Sequence, residues 1–406
     1  MYDVVIVGAG ASGLVSAIVA ARRGKKVLVL EKNNKVGKKL LATGNGKCNI
    51  SNQRPTQERF YSQNPKFINA VIEGYNYQNI KQFFKSLGLE LIEGKEGKVF
   101  PMSQQASSVV TLLESACEEL GVQIICNALV TSTDYKNSTF TIIYNAMNIK
   151  SRKLLIATGH GSAPQLGGVM DGIGFARSFS HTIIQSFPTL VQLTSPQKEN
   201  QLKQMAGVKV MSRVSLKVGG SIIYKEGDVL FTTYGISGLA ILDISRLVMV
   251  ELLQKKSIML TIDLMPKMSN DQLVALMKKS LIKKSSKPLN IWMQGFINKK
   301  LILPILSALK LENETVGSLA FQLENINKIV AMIKAFPFEI DGSKGYKGAE
   351  VATGGVNTKE IQVKTLESTK QKGLYFTGEI LDVDGDRGGF NLHFAWLCGI
   401  RAGSAI

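Results

Sequence analysis

Residues 2–32 read YDVVIVGAGASGLVSAIVAARRGKKVLVLEK. Val4–Val7 is an unbroken apolar run, as a strand buried on both faces of a parallel sheet requires. Gly8, Gly10 and Gly13 follow at once in the spacing G-x-G-x-x-G. The first glycine permits the tight turn, the second lets a pyrophosphate approach the backbone, and the third lets a helix pack on the strand. The N–H groups of Gly10, Ala11 and Ser12 open that helix, where its dipole favours phosphate. Gly24 ends the helix, and Val27–Leu30 form the next strand. Glu31 stands at that strand's tip, about 20 residues beyond the glycines, where a carboxylate takes ribose hydroxyls; Lys32 follows it. The pattern predicts a dinucleotide-binding strand–helix–strand unit for an unphosphorylated ribose.

Where a simple dehydrogenase would begin its next helix, this chain has a Gly- and Lys-rich loop, residues 32–51. Lys38, Lys39, Leu40, Asn45, Gly46, Lys47, Cys48 and Asn49 are its candidate cofactor residues. A second glycine-rich element at the same sheet edge suits a longer ligand, one that reaches from adenosine to an isoalloxazine ring. The other end of the chain supplies the rest. GLYFTGEILDVDGDRGGFNLHFA, residues 373–395, reads as a strand, a carboxylate loop and a helix opened by Gly388 and Gly389. Gly378, Glu379 and Asp384 are candidates for the ribityl chain. The N–H groups at Gly389, Phe390, Asn391 and Leu392 are candidates for the pyrimidine carbonyl of a reduced flavin. Both chain ends are thus expected to build one FAD site.

Composition narrows the alternatives. The chain has 406 residues, 45% of them apolar, enough for two or three domains. Its four cysteines, Cys48, Cys117, Cys126 and Cys398, include no Cys-x-x-Cys pair, which suits a reducing cytoplasm. Three scattered histidines, His160, His181 and His393, leave no metal-site pattern. The uncharged run Val4–Ala21 is broken by three glycines and preceded by an acid with no base, so it reads as neither signal peptide nor membrane span. The formal net charge of +18 is concentrated in two lysine sets: Lys32, Lys35, Lys38, Lys39 and Lys47, then Lys267, Lys278, Lys279, Lys283, Lys284, Lys287, Lys299 and Lys300. Such a set is ordinarily a solvated helix face; an anionic ligand or RNA is the functional alternative.

The motifs VVIVGAGASGL at Val4, GKKLLATGNGKCNISN at Gly37, ATG at Ala157, FTTYGISG at Phe231, EVATGGV at Glu350 and GLYFTGEILDVDGDRGGFNL at Gly373 run over almost the whole chain. With them the sequence resembles the BaiN-like flavoproteins, also called the aminoacetone-oxidase or YhiN-like family. The resemblance implies an α/β fold: a discontinuous Rossmann-like two-dinucleotide-type FAD domain, an inserted β-barrel domain and a helical subdomain. Expected boundaries are residues 1–190 and 336–406 for the FAD domain, 191–267 for the barrel and 268–335 for the helices. The residues agree: 208–231 alternate about a Gly219–Gly220 hairpin turn, 258–264 read as a strand, and 269–332 read as helices. Fold likeness also places Ala157, Thr158 and Gly159 by the cofactor and the backbone of Val130 by adenine. The chain departs from the family at His160, where a second Gly is usual, and at His393, where Gln is common.

The expected activity is flavin-mediated hydride transfer with a small organic substrate, held between the FAD domain and the insert. It is either NAD(P)H-linked reduction of a conjugated C=C bond or O₂-linked oxidation of a small amine. No second complete dinucleotide motif is present, so any NAD(P)H would visit transiently. Lys47, His160 and Arg387 are the candidate catalytic side chains. Lys47 could stabilise anionic reduced flavin, His160 could border the ring, and Arg387 could hold a substrate carboxylate. Cys48 is expected to be an inert buried thiol. Two other readings stand beside this one: a basic RNA-associated flavoprotein of the tRNA-modifying type, and a flavin-binding protein without turnover. The expected form is a cytoplasmic monomer or homodimer without a membrane or a bound metal.

Overall fold

The computed structural model describes residues 1–73, 76–281, 285–321 and 323–406. Lys283 and Lys284 of the second lysine set lie outside the described residues. The chain divides into two compact units, Met1–Pro188 with Ala349–Ile406, and Thr189–Gly348.

The first unit is built on a sheet of β1 (Tyr2–Val7), β2 (Val27–Leu30), β3 (Gln123–Ile125), β4 (Val130–Lys136), β5 (Thr139–Tyr144), β6 (Met147–Ile156) and β7 (Leu374–Phe376). Five strands run parallel in the order β3-β2-β1-β6-β7. β4, β5 and the first half of β6 form an antiparallel meander. Val4–Val7 and Val27–Leu30 are buried throughout, which is why they are continuous apolar runs without alternation. α1 (Ala11–Arg22) follows β1, and α2 (Phe390–Ala405) is the last element. The two helices pack through small residues. A methyl group at Gly399 would lie 2.7 Å from the Ser12 carbonyl oxygen, and one at Gly403 would lie 2.8 Å from that of Ser16. The chain's two ends therefore meet backbone to backbone.

The second unit is a seven-stranded antiparallel sheet with helices. Its strand order is Phe336–Ile340, Ile258–Asp263, Lys209–Val218, Ser221–Thr232, Gly235–Ser237, Leu193–Thr194 and Gly342–Ser343. The Gly219–Gly220 hairpin pairs as expected, with Val218 opposite Ser221. Val214, Leu216, Val229, Phe231, Leu260, Ile262 and Phe338 are buried, the inward half of the alternation. Helices Asn270–Lys279, Lys299–Leu309 and Leu323–Lys334 occupy the expected helical stretch.

Three expectations need correction. Among the described residues the sheet is a path with two ends, Phe336–Ile340 and Gly342–Ser343, and does not close into a barrel. The first unit resumes at Ala349 rather than at 336, because Phe336–Ile340 pairs with Ile258–Asp263 and Gly342–Ser343 with Leu193–Thr194. The stretch 191–267 also holds a helix, Leu239–Leu252, which the β pattern around it concealed. Among the described residues no helix is long and apolar enough to cross a membrane, and no cluster of three or more His, Cys, Asp or Glu could hold a metal.

Candidate active site

The dinucleotide turn is assembled as the glycine spacing requires. Gly8 adopts φ +105°, and a methyl group there would lie 2.5 Å from the Ala157 carbonyl oxygen. One at Gly13 would lie 2.0 Å from the Gly8 carbonyl oxygen. One at Gly10 would meet no protein atom within 4 Å. Gly10 caps α1 with no side-chain cap hydrogen bond. Open space above an uncapped helix start is the shape a pyrophosphate fills. Glu31 is buried and acts on the turn itself: its carboxylate accepts from the Ala9 N–H at 2.8 Å and from the Asn33 N–H at 2.8 Å. Oε1 also accepts from Asn33 Nδ2 at 2.6 Å, so Oε2 is the oxygen that keeps a further lone pair for a ribose hydroxyl. The Ala128 N–H bonds the Glu31 carbonyl at 2.8 Å, so the segment leading to Val130 runs beside the same strand tip.

Four distant segments join around Glu379. Its carboxylate pairs with the Lys39 ammonium at 2.8 Å and accepts from the Ser162 hydroxyl at 2.8 Å and the Ala352 N–H at 3.0 Å. Lys39 also donates to Ser162 Oγ at 2.5 Å. Burial pushes the Glu379 carboxyl up, but the Lys39 charge and hydrogen bond and its other partners hold it below the usual carboxylate range. Gly159 lies alongside at φ +69° with nothing nearer to its missing side chain than Glu379 Oε2, 3.9 Å away. Ser162 carries no sequence signal, and reasoning from sequence missed it. We expect Lys39→Met to leave the fold intact and to destabilise the cofactor-loaded form by about 1–3 kcal/mol, the cost of an unpaired, half-buried carboxylate. A carboxyl whose folded-state pKa is depressed stabilises above its ordinary pKa and loses that contribution as pH falls. Without Lys39 the loss should begin at higher pH, read as flavin retained against pH.

The start of α2 is held from the other side. Gly388 and Gly389 adopt φ +126° and +97°, and a methyl group at Gly389 would lie 2.4 Å from the Ser51 carbonyl oxygen. Asn52 Nδ2 donates to the Gly388 carbonyl at 3.2 Å, and Asn391 is bonded both ways to Gly385. Asp384 accepts from Thr353 Oγ1 at 2.5 Å, and Phe390 lies under the Arg59 guanidinium at 4.6 Å. Asp384, Phe390 and Asn391 thus fix the Gly388–Gly389 turn, and Leu392 is half-buried beside it. His393 is fully buried with Nδ1 2.8 Å from Ser51 Oγ; burial pushes it down to about 3, so it is neutral at the helix start.

The remaining candidates divide by exposure. Lys32, Asn45, Gly46 and Lys47 are exposed, Ala11, Lys38, Asn49, Thr158 and Arg387 half-buried, and Leu40 and Cys48 packed in the core. Burial pushes the Cys48 thiol up to about 11, against a hydrogen bond from Thr43, so it is a protonated, unreactive thiol. His160 is buried. Its Nδ1 accepts the Gly161 N–H at 2.8 Å, so Nε2 carries the proton towards Ser186 Oγ at 2.9 Å. His160 thereby ties its own turn to Ser186.

Fold and site together define an oxidoreductase of the dinucleotide-binding flavoprotein class. More particularly, the chain belongs to the HI0933-like protein Rossmann domain family, whose family model matches residues 2–405. It is 33% identical over 408 residues to the 3-dehydro-bile acid delta(4,6)-reductase of Clostridium scindens, covering 100% of this chain and 99% of that one. It is 30% identical over 396 residues to the ribosomal RNA dihydrouridine synthase of Haemophilus influenzae, covering 97% and 95%. Among solved structures, the 3-ketosteroid-delta4-(5alpha)-dehydrogenase from Rhodococcus jostii aligns over 100% of this chain and 96% of its own, with TM-score 0.52 and 14% identity, a likeness of fold.

Proposed function

We propose that this protein is an FAD-dependent reductase that adds hydrogen across a C=C bond conjugated to a carbonyl in a small organic molecule, with NADH or NADPH as donor. The observation that carries the reading is the convergence of the two chain ends: the open Gly10 turn, the Lys39–Ser162–Glu379 cluster and the Gly388–Gly389 helix start all belong to one unit. The activities for which the two relatives are named share one chemistry, since a delta(4,6)-reductase of a 3-oxo compound and a dihydrouridine synthase both saturate a C=C bond conjugated to a carbonyl.

When bound, the flavin supplies hydride transfer. The chain's residues supply the rest. The uncapped α1 start and Glu31 hold the phosphates and ribose. The α2 start would offer its N–H groups to the ring's carbonyl end, where they would favour negative charge. Lys39 keeps a third N–H beyond its two bonds, available to a ligand beside Gly159. Arg387, half-buried and next to Gly388, suits an anionic group on the substrate.

Anaerobic mixing with NADH and with NADPH tests the reading. Bleaching of the visible flavin band is expected, followed by recovery when a 3-oxo-4,6-diene steroid is added. No bleaching with either donor overturns it. Rapid O₂-linked turnover of aminoacetone in its place would favour the amine-oxidase reading.

A second reading keeps the chemistry and changes the substrate to a uracil base in ribosomal RNA. Residues 189–348 carry 22 Lys and Arg against 12 Asp and Glu, and the Haemophilus influenzae relative bears the RNA-modifying name. Reoxidation of the bleached protein by rRNA, steeply weakened by salt, would select it.

A further inference from the structure

Outside the cofactor site, the first unit holds a Ser–His–Glu arrangement. Ser368 Oγ is 2.7 Å from His181 Nε2, and His181 Nδ1 is 3.1 Å from Glu360 Oε2. The spacing is that of a hydrolytic triad, but Ser368 is 3% exposed and its oxygen is already engaged. It accepts the N–H groups of Lys370 and Gln371, each at 3.0 Å.

Counting hydrogen bonds fixes the protons. A hydroxyl oxygen has two acceptor lone pairs and one proton. Both lone pairs are used, so the contact with His181 is the Ser368 O–H donating to Nε2. Nε2 is then unprotonated, and Nδ1–H donates to Glu360. An imidazolium would set an Nε2–H against an oxygen with no lone pair left. It could be accommodated only by breaking one of the two bonds that close the 368–371 turn.

The turn bears on the cofactor site. The Ser368 N–H bonds the Leu374 carbonyl at 2.7 Å, and the His181 ring meets the Phe376 ring edge-on at 4.9 Å. Leu374 and Phe376 are the ends of β7, which leads directly into Thr377, Gly378 and Glu379. The charged groups facing the imidazole are Glu360 and Lys370, which pair with each other at 2.8 Å. Glu360 also accepts from Thr182 N–H and Oγ.

We propose that Ser368, His181 and Glu360 form a proton-sensitive pin that positions β7 and Glu379, and that protonation of His181 releases it. Burial, the largest influence, already lowers the affinity of His181 for a proton, against the pull of Glu360. The sign follows: a histidine with a depressed folded-state pKa stabilises fully above its ordinary value and loses that contribution as pH falls past it.

The test follows hydrogen-exchange protection of the Lys370 and Gln371 amides, relative to those of β1, in the flavin-loaded protein from about pH 8 to about pH 5. Protection is expected to fall at least tenfold in the wild type, to be insensitive to pH in His181→Gln, and to fall at lower pH in Glu360→Gln. Flavin release should track it. Nitrogen NMR should show the Nδ1–H tautomer of His181 at about pH 8. PH-independent protection in the wild type, an unshifted Glu360→Gln, or an Nε2–H tautomer would each overturn the proposal, even if His181→Gln fails to fold.

Discussion

Gly10→Val is expected to give a folded protein that no longer keeps its dinucleotide. Gly10 has φ −85° and ψ −166°, an extended conformation open to a β-branched residue, so the backbone imposes no strain. The first side-chain carbon would meet no protein atom within 4 Å. The cost to the free protein is that of a poorer helix cap, no more than about 1 kcal/mol. The cost to the complex is different. The space at Gly10 lies over the uncapped N–H groups of α1, so a branched side chain there stands where the pyrophosphate must approach. Crowding of that order costs about 1–3 kcal/mol, up to a roughly 100-fold weaker affinity. Unfolding of the apoprotein and titration with FAD separate the two effects. Gly13→Ala is the contrast, since its methyl would strike the Gly8 carbonyl at 2.0 Å and damage the turn in the absence of any ligand. An unchanged FAD affinity in Gly10→Val would show that the ligand lies elsewhere.

This asymmetry between glycines explains how far the sequence could be read. β1, α1, β2 and the glycine turn were legible because strand, turn and helix are encoded by neighbours, and the constraint at Gly8 and Gly13 is local. The Gly219–Gly220 hairpin was legible for the same reason. The barrel was not. Alternation between Lys209 and Thr232 tells which side chains face inward, but an open sheet and a closed one share it; closure depends on what the two edge strands do. Phe336–Ile340 reads as a strand wherever it is placed, and its partner, Ile258–Asp263, lies about 80 residues earlier, so no neighbour could assign it to the second unit.

The same limit applies inside the site. Glu379 and Lys39 were identifiable from the motifs around them, but their pairing was not, because 340 residues separate them. Ser162 was invisible, being an ordinary serine until the turn after β6 brings it between the other two. His160 was singled out for its chemistry, yet the fold uses it to hold its own turn. A residue type signals what chemistry is available; only the backbone decides where it points.

The largest effect on the fold itself is expected from Gly399→Ala. On an isolated helix this change would stabilise, by about 1 kcal/mol. In α2 the new methyl would lie 2.7 Å from the Ser12 carbonyl oxygen and 2.8 Å from Val15 Cβ. Both belong to the backbone or the first side-chain carbon of α1, so neither can swing aside. The helices must separate, and the first turn of α1, the proposed dinucleotide site, moves with them. A net destabilisation of about 1–3 kcal/mol is expected in spite of the better helix former. Trp396, buried in α2 with its N–H on the Ile50 carbonyl at 2.9 Å, reports the transition in a Trp292→Phe background. Gly174→Ala is the control: it lies in the helix Asp171–Ser178 with nothing within 4 Å, and should gain about 0.5–1 kcal/mol. If both alanines stabilise alike, α1 and α2 are not in backbone contact, and the two chain ends do not form one site.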